Sequence, residues 1–487
     1  MTTATATQQR PAGRPGPVSP APAGTPGWGP LLVVLAGTFM ALLDFFIVNV
    51  ALPSIQSGLH ASRAAVQLII AGYGLTFATG MISGGRLGDL YGRRRMFMTG
   101  LALFTLTSAA CGLAPGAGLL IGARVLQGAA GALMTPQVLA IIGIVYAGSR
   151  RDRAFAAYGL AMGFAGVLGQ LLGGAIITAS VGGSGWRGIF LINVPVGLTA
   201  LVLARRVIPE SAGHGVRSST GPSNAGRLDL AGTALATAGL AAVVAPLIEG
   251  QQYGWPAWTW ASLAAAPVLL GGFVVHQRRR AASGRSPLVD PGLFGSRGFS
   301  VGSLAALAFG LVPASFFFVL ALFLQDGLGL SPLLSGEVFA AVGAGYFAAM
   351  MLATGLARRL GRQVLALGAA VVAAGALLLA AADGGTSWAP LLPGLAVTGF
   401  GIGLVLVPLS ATVLAGVDPQ HAGAAAGVLA TAQQVGGAVG VALVGVVFYR
   451  SLGAGAFGHA MTVALILLAG LTVATAALVQ LLPRRAR

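Results

Sequence analysis

Charged residues are scarce in this sequence: Asp, Glu, Lys and Arg together make up 8% of 487 positions, against about 25% in a typical soluble domain. Because a soluble fold needs a charged surface, this deficit excludes an ordinary soluble protein. The sequence also has no lysine, and its only cysteine, Cys111, lies in an apolar stretch. A single cysteine excludes both an internal disulfide framework and a metal site of several thiolates.

Metal and cofactor motifs are absent from the sequence as well. The five histidines are scattered, and none has a partner at metal-ligand spacing. No Gly-Lys-Ser/Thr phosphate-binding motif is present, so ATP-driven chemistry within this chain is not expected. The net charge of +17 would suggest nucleic acid in a soluble protein. Here the arginines lie between apolar stretches, so we expect no nucleic-acid partner, no metal and no cofactor.

What the sequence has in abundance is apolar residues, at 56% of its length. A membrane-spanning helix needs about 20 mainly apolar residues, and fourteen such stretches can be placed. They begin near Leu31, Val66, Met96, Leu119, Ala154, Ile189, Leu228, Trp260, Phe299, Gly336, Val364, Pro390, Gly423 and Met461. We therefore predict an all-α integral membrane protein of the cell membrane, surrounded by the lipid bilayer.

The arginines test this count. With both termini in the cytoplasm, 24 of the 28 arginines fall on the cytoplasmic side, Arg63, Arg187 and Arg450 fall outside, and Arg124 lies within a span. Such an excess is what the positive-inside rule requires of a correct topology. The Pro- and Gly-rich residues 1–29 are predicted to form a disordered cytoplasmic tail.

Four sequence segments carry a family resemblance. They are LLDFFIVNVALPSI (Leu42–Ile55), GGRLGDLYGRRR (Gly84–Arg95), ARVLQGAAGA (Ala123–Ala132) and GWRGIFLINVPVG (Gly185–Gly197). Segments of the carboxy-terminal half, such as FLQDGLGLSP, agree with them. Together they resemble the fourteen-helix drug–proton antiporters of the major facilitator superfamily, over essentially residues 31–483.

The resemblance implies two six-helix bundles that rock about a central site in alternating access. Along the chain these would be the first bundle at residues 30–208, a cytoplasmic linker at 209–227, an inserted helix pair at 228–276, a second cytoplasmic linker at 277–298 and the second bundle at 299–483. It implies a monomeric transporter, not an enzyme, that exports a hydrophobic drug or antibiotic with protons as the coupling ion. An exporter of an endogenous metabolite is the alternative, and a non-transporting receptor or scaffold is a further one.

Asp44 lies in the middle of an otherwise apolar span. A carboxylate at that depth costs roughly 2.5–3.5 kcal/mol on insertion scales, and such residues usually mark ion or proton pathways. Arg124, the arginine placed inside the membrane, cannot lose its charge and needs acceptors. The resemblance assigns both residues to proton handling, with Asp44 as the proton carrier and Arg124 as its modulator. A static pair that holds two helices together is the alternative.

The predicted cytoplasmic turn after helix 2 carries the superfamily's loop signature. The resemblance implies a gate that locks the outward-facing state, built from Gly85, Gly88, Asp89, Gly92, Arg93, Arg94 and Arg95. The three glycines would allow a sharp turn. Simple anchoring of the topology by surface charge is the alternative.

Helix 5 departs from the antiporter pattern. The antiporter motif there contains a Gly-Pro pair, whereas GVLGQLLGG keeps Gly166, Gly169, Gly173 and Gly174 but has Gln170 where proline is usual. Proline bends a membrane helix by removing an amide donor. We therefore expect this helix to lack the bend.

The substrate site should lie near the midplane between the two bundles. Aromatic and amide side chains in the spans are the candidates: Phe45, Tyr73, Phe77, Gln137, Phe164, Phe316, Phe317, Tyr346 and Gln434. Packing or contact with lipid is the alternative for most of them. Few acids line this region, which argues against a polycationic substrate.

Overall fold

The computed structural model describes residues 27–209, 229–285, 287–382, 387–415, 417, 422–453 and 457–482, and these ranges contain helices and no strand. The first six long helices are α1 Gly29–Leu59, α2 Arg63–Tyr91, α3 Arg93–Gly112, α4 Ala117–Val145, α5 Gly148–Ala179 and α6 Gly185–Val207. The inserted pair is α7 Leu230–Gln252 and α8 Ala257–Ala282. The last six are α9 Arg297–Leu322, α10 Pro332–Leu360, α11 Gln363–Ala381, α12 Leu391–Leu414, α13 Ala422–Ser451 and α14 Phe457–Val479.

Each of the fourteen predicted spans corresponds to one of these helices. Within the described ranges, twelve are long and apolar enough to cross a membrane, and α5 makes a thirteenth if its two bent halves form one span. The remaining helix, α3, begins with three arginines. The all-α membrane fold is thus confirmed, and the count of fourteen is consistent with it. Nearly all of the predicted tail and of the linker at 209–227 lies outside the described residues.

The helices pack as two groups of six with the same arrangement. In the first group α2 packs on α4, α3 on α4 and α6, and α1 on α5. In the second group the helices eight positions later repeat these pairs: α10 on α12, α11 on α12 and α14, and α9 on α13. The groups meet through α2 with α13 and α5 with α10. Repeated halves of this kind are typical of secondary transporters.

Glycines set the distance between the helices at several of these contacts. A Cβ atom on Gly128 of α4 would collide with the backbone of Tyr73 in α2. At the interface of the two bundles, a Cβ on Gly174 of α5 would collide with the backbone of Pro332 in α10. Small residues allow membrane helices to approach this closely and to gain van der Waals contact where no hydrophobic effect drives association.

The inserted pair contacts both bundles and is held together by one carboxylate. Helix α7 packs on α2 and α13, and α8 packs on α7. Asp229, just before α7, accepts hydrogen bonds from the Gly232 amide at 2.9 Å and from Gln277 Nε2 at 2.8 Å, and lies 2.8 Å from His276 Nε2. Burial raises the pKa of Asp229, but these hydrogen bonds and the charge of Arg280 outweigh it and lower the pKa below its ordinary value. The charged form therefore ties α7 to α8.

Two glycines of α4 test the role of close packing. We expect Gly128→Ala to lower the melting temperature of the detergent-solubilised protein by several degrees, because overpacking costs about 1–3 kcal/mol. Gly122, on the exposed side of the same helix, has nothing within 4 Å of an added Cβ. Gly122→Ala is the matched control and should leave the melting temperature unchanged or slightly higher. Equal melting temperatures for the two variants would contradict this account of the α2–α4 contact.

Candidate functional site

Asp44 and Arg124, identified separately in the sequence, form an ion pair in the structure. Asp44 lies on α1 and Arg124 on α4, and both side chains are fully buried. Arg124 Nη1 donates a hydrogen bond to Asp44 Oδ2. A buried charge persists in a low-dielectric interior only when it is paired and hydrogen-bonded, and this contact meets that condition for both residues.

The second carboxylate oxygen of Asp44 is bound by two amide side chains. Gln127 Nε2 of α4 lies 3.0 Å from Asp44 Oδ1, and Asn193 Nδ2 of α6 lies 2.9 Å from it. Arg124, Gln127 and Asn193 all act as donors to Asp44. Donors favour the charged form of a carboxyl group, so these three hydrogen bonds oppose the effect of burial, which favours the neutral form.

Arg124 is held on several sides at once. Its Nη1 also donates to Gln127 Oε1 at 2.7 Å, and its Nε donates to the carbonyl oxygen of Ile69 in α2 at 3.3 Å. The guanidinium lies 4.1 Å from the ring centroid of Tyr73, within the range of a cation–π interaction. The arginine therefore connects α1, α2 and α4.

A further layer of polar side chains surrounds this pair. Asn193 Nδ2 also donates to Ser108 Oγ of α3 at 2.9 Å, and Ser108 Oγ donates to the carbonyl oxygen of Phe190 at 2.9 Å. Cys111 of α3 lies with its Sγ 3.6 Å from Gln127 Oε1. We refer to Asp44, Arg124, Gln127, Asn193 and Ser108 as the polar centre.

Sequence reasoning did not assign a role to three members of the polar centre: Gln127, Asn193 and Ser108. A usable signal existed for Gln127, because it follows Arg124 by three residues and therefore shares its helix face. Asn193 carried a weaker signal as an amide in an apolar span. Ser108 had none, since serines also occur at helix contacts in membranes.

Aromatic side chains lead from the polar centre toward the second bundle. The successive ring pairs have centroids 5.9, 6.1, 5.3, 5.4 and 5.8 Å apart, and they join Phe77, Tyr73, Phe45, Phe46, Phe317 and Phe339. This aromatic chain starts on α2, crosses α1 and ends on α9 and α10. Four of its members were predicted substrate residues, whereas Phe46 and Phe339 were missed. The step from Phe46 to Phe317 joins the two bundles.

The other predicted substrate residues lie elsewhere. Gln137 is fully buried, and its Nε2 donates to the carbonyl oxygen of Gly84 at 2.7 Å, so its amide binds α2 to α4. Phe316 is buried beside Phe317. Three residues stand apart from the aromatic chain: Phe164, which is exposed and contacts Phe347, and the partly buried Tyr346 and Gln434.

The predicted gating loop is shorter than expected. Helix α2 runs to Tyr91 and α3 begins at Arg93, so only Gly92, with φ of 97°, forms the turn. The prediction that Gly85 and Gly88 also shape the turn is wrong. Both lie inside α2, where Gly88 leaves room for the side chain of Gln137 in α4 and Gly85 lies near Pro136.

The basic residues of this loop, Arg93, Arg94 and Arg95, form the first turn of α3. Arg94 Nη2 donates to the carbonyl oxygen of Arg205 in the last turn of α6, at 2.6 Å. A cation at the carboxyl end of a helix is favoured by the helix dipole. The side chain of Asp89 lies outside the described part of the structure.

Helix α5 is bent although residue 170 is glutamine and not proline. Its segments Gly148–Gly166 and Leu168–Ala179 meet at 41°. The expectation of an unbent helix is therefore wrong. A Cβ on Gly169 or Gly173 would press on α1, so glycines in this stretch let the two helices approach closely. Glycines are a known cause of kinks in the absence of proline.

Gln170 itself is buried at the contact of α5 with α10. A Cβ on Gly336 of α10 would meet the backbone of Gln170, so the two helices touch at this residue. Neither amide atom of its side chain has a hydrogen-bond partner among the described residues. By contrast Gln325, after α9, donates to the carbonyl oxygen of Val50 in α1 at 2.7 Å. At the bundle interface, Gln170 is thus an unsatisfied amide and Gln325 a satisfied one.

Comparison with known protein families identifies one match along most of the chain. The model of the Major Facilitator Superfamily matches residues 34–231 and 227–441. Among solved structures, a POT family peptide transporter described as auto-inhibited superimposes with a TM-score of 0.64 and 17% identity. It covers 94% of this chain and 97% of its own. At that identity the likeness concerns the fold alone.

Several sequence relatives are similar over most of their length. A Streptomyces coelicolor protein named "Probable actinorhodin transporter" is 39% identical over 437 residues, which is 88% of this chain and 73% of the relative. The puromycin resistance protein of Streptomyces alboniger is 37% identical and covers 86% of this chain and 81% of its own. The cephamycin export protein of Amycolatopsis lactamdurans is 37% identical, covering 85% and 83%.

Gln170 and Gln325, the two interface amides described above, lead to opposite expectations for substitution by methionine. Gln170→Met should raise the melting temperature of the solubilised protein, because it removes a buried amide whose missing hydrogen bonds cost about 1–3 kcal/mol. Gln325→Met should lower the melting temperature, because it removes the bond to the Val50 carbonyl. Thermal unfolding of the two variants side by side checks this. A change of the same sign in both would contradict the assignment.

Proposed function

The chain belongs to the major facilitator superfamily, and we propose that it exports a small hydrophobic drug or antibiotic in exchange for protons. It is a multi-pass membrane transporter rather than an enzyme. The observation that carries the proposal is the ion pair of Asp44 and Arg124, which is fully buried and lies next to an aromatic chain that reaches the second bundle.

Asp44 is the proton carrier in this proposal. It is a fully buried carboxylate of the first bundle, and a proton on it would cancel its attraction to Arg124. Arg124 keeps its charge at any relevant pH and then needs other acceptors. A proton therefore has different affinities for the arrangement seen here and for one in which the pair is separated, and coupling requires such a difference.

The aromatic chain supports the proposed substrate class. Aromatic rings offer large apolar surfaces and stack with flat or hydrophobic molecules. A substrate that inserts between Phe46 and Phe317 would separate the bundles there and displace Phe45, which packs on Tyr73. Tyr73 in turn stacks on Arg124, so substrate and proton would act on the same arginine. The names of the similar proteins, given for antibiotic export and resistance, agree with this class.

Contacts between the bundles support an arrangement that is closed at the predicted extracellular side within an alternating-access cycle. Gln325 bonds to Val50, and Arg63 lies 5.0 Å from the ring centroid of Tyr449. Both contacts lie at the helix ends that the arginine distribution predicts to be extracellular.

Movement of one charge down 100 mV provides about 2.3 kcal/mol, enough for one or two protons to maintain a large substrate gradient.

Inverted membrane vesicles test the proton carrier. With puromycin as the probe and an imposed proton gradient, the wild-type chain should accumulate the drug. Asp44→Asn should reduce gradient-driven accumulation at least about tenfold, because the amide cannot carry a proton. The matched control is Asp290→Asn, which changes a carboxylate that only bonds the Gly292 amide before α9, and it should transport normally. Normal gradient-dependent accumulation by Asp44→Asn would show that Asp44 is not the carrier.

The substrate class and the energy source are tested separately. A drug-sensitive bacterial strain expressing the chain should grow at higher concentrations of puromycin, tetracenomycin C or a cephamycin than the same strain with Asp44→Asn. Resistance to none of these would contradict the antibiotic class and favour export of an endogenous metabolite. Equal accumulation after a protonophore collapses the gradient would contradict antiport itself.

A further inference from the structure

The groups that bind Asp44 differ in what they can offer to a protonated carboxyl group. A carboxylate only accepts hydrogen bonds, whereas a carboxylic acid also has one O–H to donate. A proton bound at Asp44 therefore requires a neighbouring acceptor. Each of the three groups that now donate to Asp44 can be examined for an oxygen that could take this role.

Two of these three groups, Arg124 and Gln127, cannot change from hydrogen-bond donor to acceptor. Arg124 has five N–H donors and no acceptor. Gln127 has an amide oxygen, but that oxygen receives Arg124 Nη1 at 2.7 Å, which orients the opposite end of the amide, Nε2, toward Asp44. Rotation of the Gln127 amide would place its N–H groups against the guanidinium, donor against donor. Both side chains are therefore fixed as donors.

Asn193 is different because its second partner is amphoteric. Its Nδ2 donates both to Asp44 Oδ1 and to Ser108 Oγ, each at 2.9 Å. A serine hydroxyl can accept or donate, since its hydrogen rotates. If the Asn193 amide turns over, its oxygen takes the place of Nδ2 and can accept from a protonated Asp44 and from Ser108 together.

We propose that Asn193 is a positioning residue for proton coupling, whose amide donates to the charged form of Asp44 and turns over to accept from the protonated form. This inference rests on the proposed function, since it takes Asp44 as the proton carrier. The proton in this scheme resides on Asp44 Oδ1, the oxygen that faces Asn193.

The turnover of Asn193 has a structural consequence on α6. Ser108 now donates to the carbonyl oxygen of Phe190 at 2.9 Å. To donate to the reversed Asn193, the Ser108 hydroxyl must release Phe190. Phe190 lies in the first turns of α6, near Asn193. Protonation of Asp44 is thus transmitted to the contact of α3 with the first turns of α6.

Few other titratable groups face this site in the described part of the chain. Arg124 contacts Asp44 from α4, Tyr73 of α2 stacks on Arg124 and donates to the Ala41 carbonyl, and Cys111 of α3 contacts Gln127. Asn193 brings an uncharged amide from α6. A change in the pH dependence of Asn193→Ala therefore reports on Asp44, and a change in that of Asn193→Asp reports on the pair of carboxyl groups.

The test compares two substitutions at Asn193 by the pH at which puromycin transport into inverted vesicles is half-maximal, at a constant imposed gradient. Asn193→Ala removes a donor that favours the charged form, so the midpoint should rise by about half to one pH unit. Asn193→Asp places a second carboxyl group beside Asp44, and two carboxylates at this distance resist joint ionisation, so the midpoint should rise by about two units or more.

Which of the two variants has the larger effect on the pH midpoint distinguishes this role from a role in packing. Asp has nearly the shape of Asn, so a packing role predicts that Asn193→Asp is the milder variant and that neither moves the midpoint. That result, with a lower maximal rate at every pH, would overturn the proposal. If Asn193→Ala is not recovered in folded form, Asn193→Asp alone still decides, since an unchanged midpoint contradicts the proposal.

Neighbouring residues on α3 provide the controls. The Thr107 hydroxyl donates only to carbonyl oxygens of its own helix, at 2.7 and 3.1 Å, so Thr107→Val should leave midpoint and rate unchanged. Ser108→Ala removes two bonds of the charged state, with Asn193 and Phe190, and one bond of the protonated state, so the midpoint should rise by less than in Asn193→Ala while transport slows severalfold. An unchanged rate in Ser108→Ala would overturn the transmission step.

The outcomes also distinguish this inference from the proposed function. Gradient-dependent transport by the wild-type chain that Asp44→Asn abolishes, combined with unshifted Asn193 variants, would overturn the inference and leave the antiporter intact. Wild-type transport without gradient dependence would overturn both.

Discussion

The cost of a charge in an apolar environment governs the first bundle. Asp44 and Arg124 are both fully buried, and loss of either partner from a buried pair costs about 3–5 kcal/mol. The fold meets this requirement with groups from five helices: the carboxylate from α1, the Ile69 carbonyl from α2, Ser108 from α3, Gln127 from α4 and Asn193 from α6. The packing of these helices and the state of the ion pair are therefore linked.

The second bundle repeats the helix arrangement without repeating this chemistry. Within the described ranges, the buried charged residues are Asp44, Arg124 and Asp229, and all three precede α9. The second bundle presents aromatic rings to the first, with Phe317 against Phe46 and Phe339 stacked on Phe317. Among the described residues, the buried ion pair thus belongs to the first bundle, and the second bundle meets it with aromatic rings.

The interface between the bundles combines close contact with incomplete bonding. Gly174 and Gly336 bring α5 and α10 together, yet both amide atoms of Gln170 beside them lack partners among the described residues. An unsatisfied buried amide opposes the closed arrangement, and small residues add contact without interlocking side chains. In the proposed alternating-access cycle, such an interface would separate at a lower cost than a fully hydrogen-bonded one.

The sequence alone determined the membrane class, the helix positions and the placement of Asp44 and Arg124 within apolar spans, because apolar length and the cost of a buried charge do not depend on the neighbours of a residue. Only the tertiary structure decided which faces meet. In the structure Asn193 donates a hydrogen bond to Asp44, 149 residues away. Gln137 forms a hydrogen bond with α2 instead of lining a substrate site, and α5 is bent although residue 170 is not proline. Such contacts depend on helix rotation and approach, which periodicity within one segment does not specify.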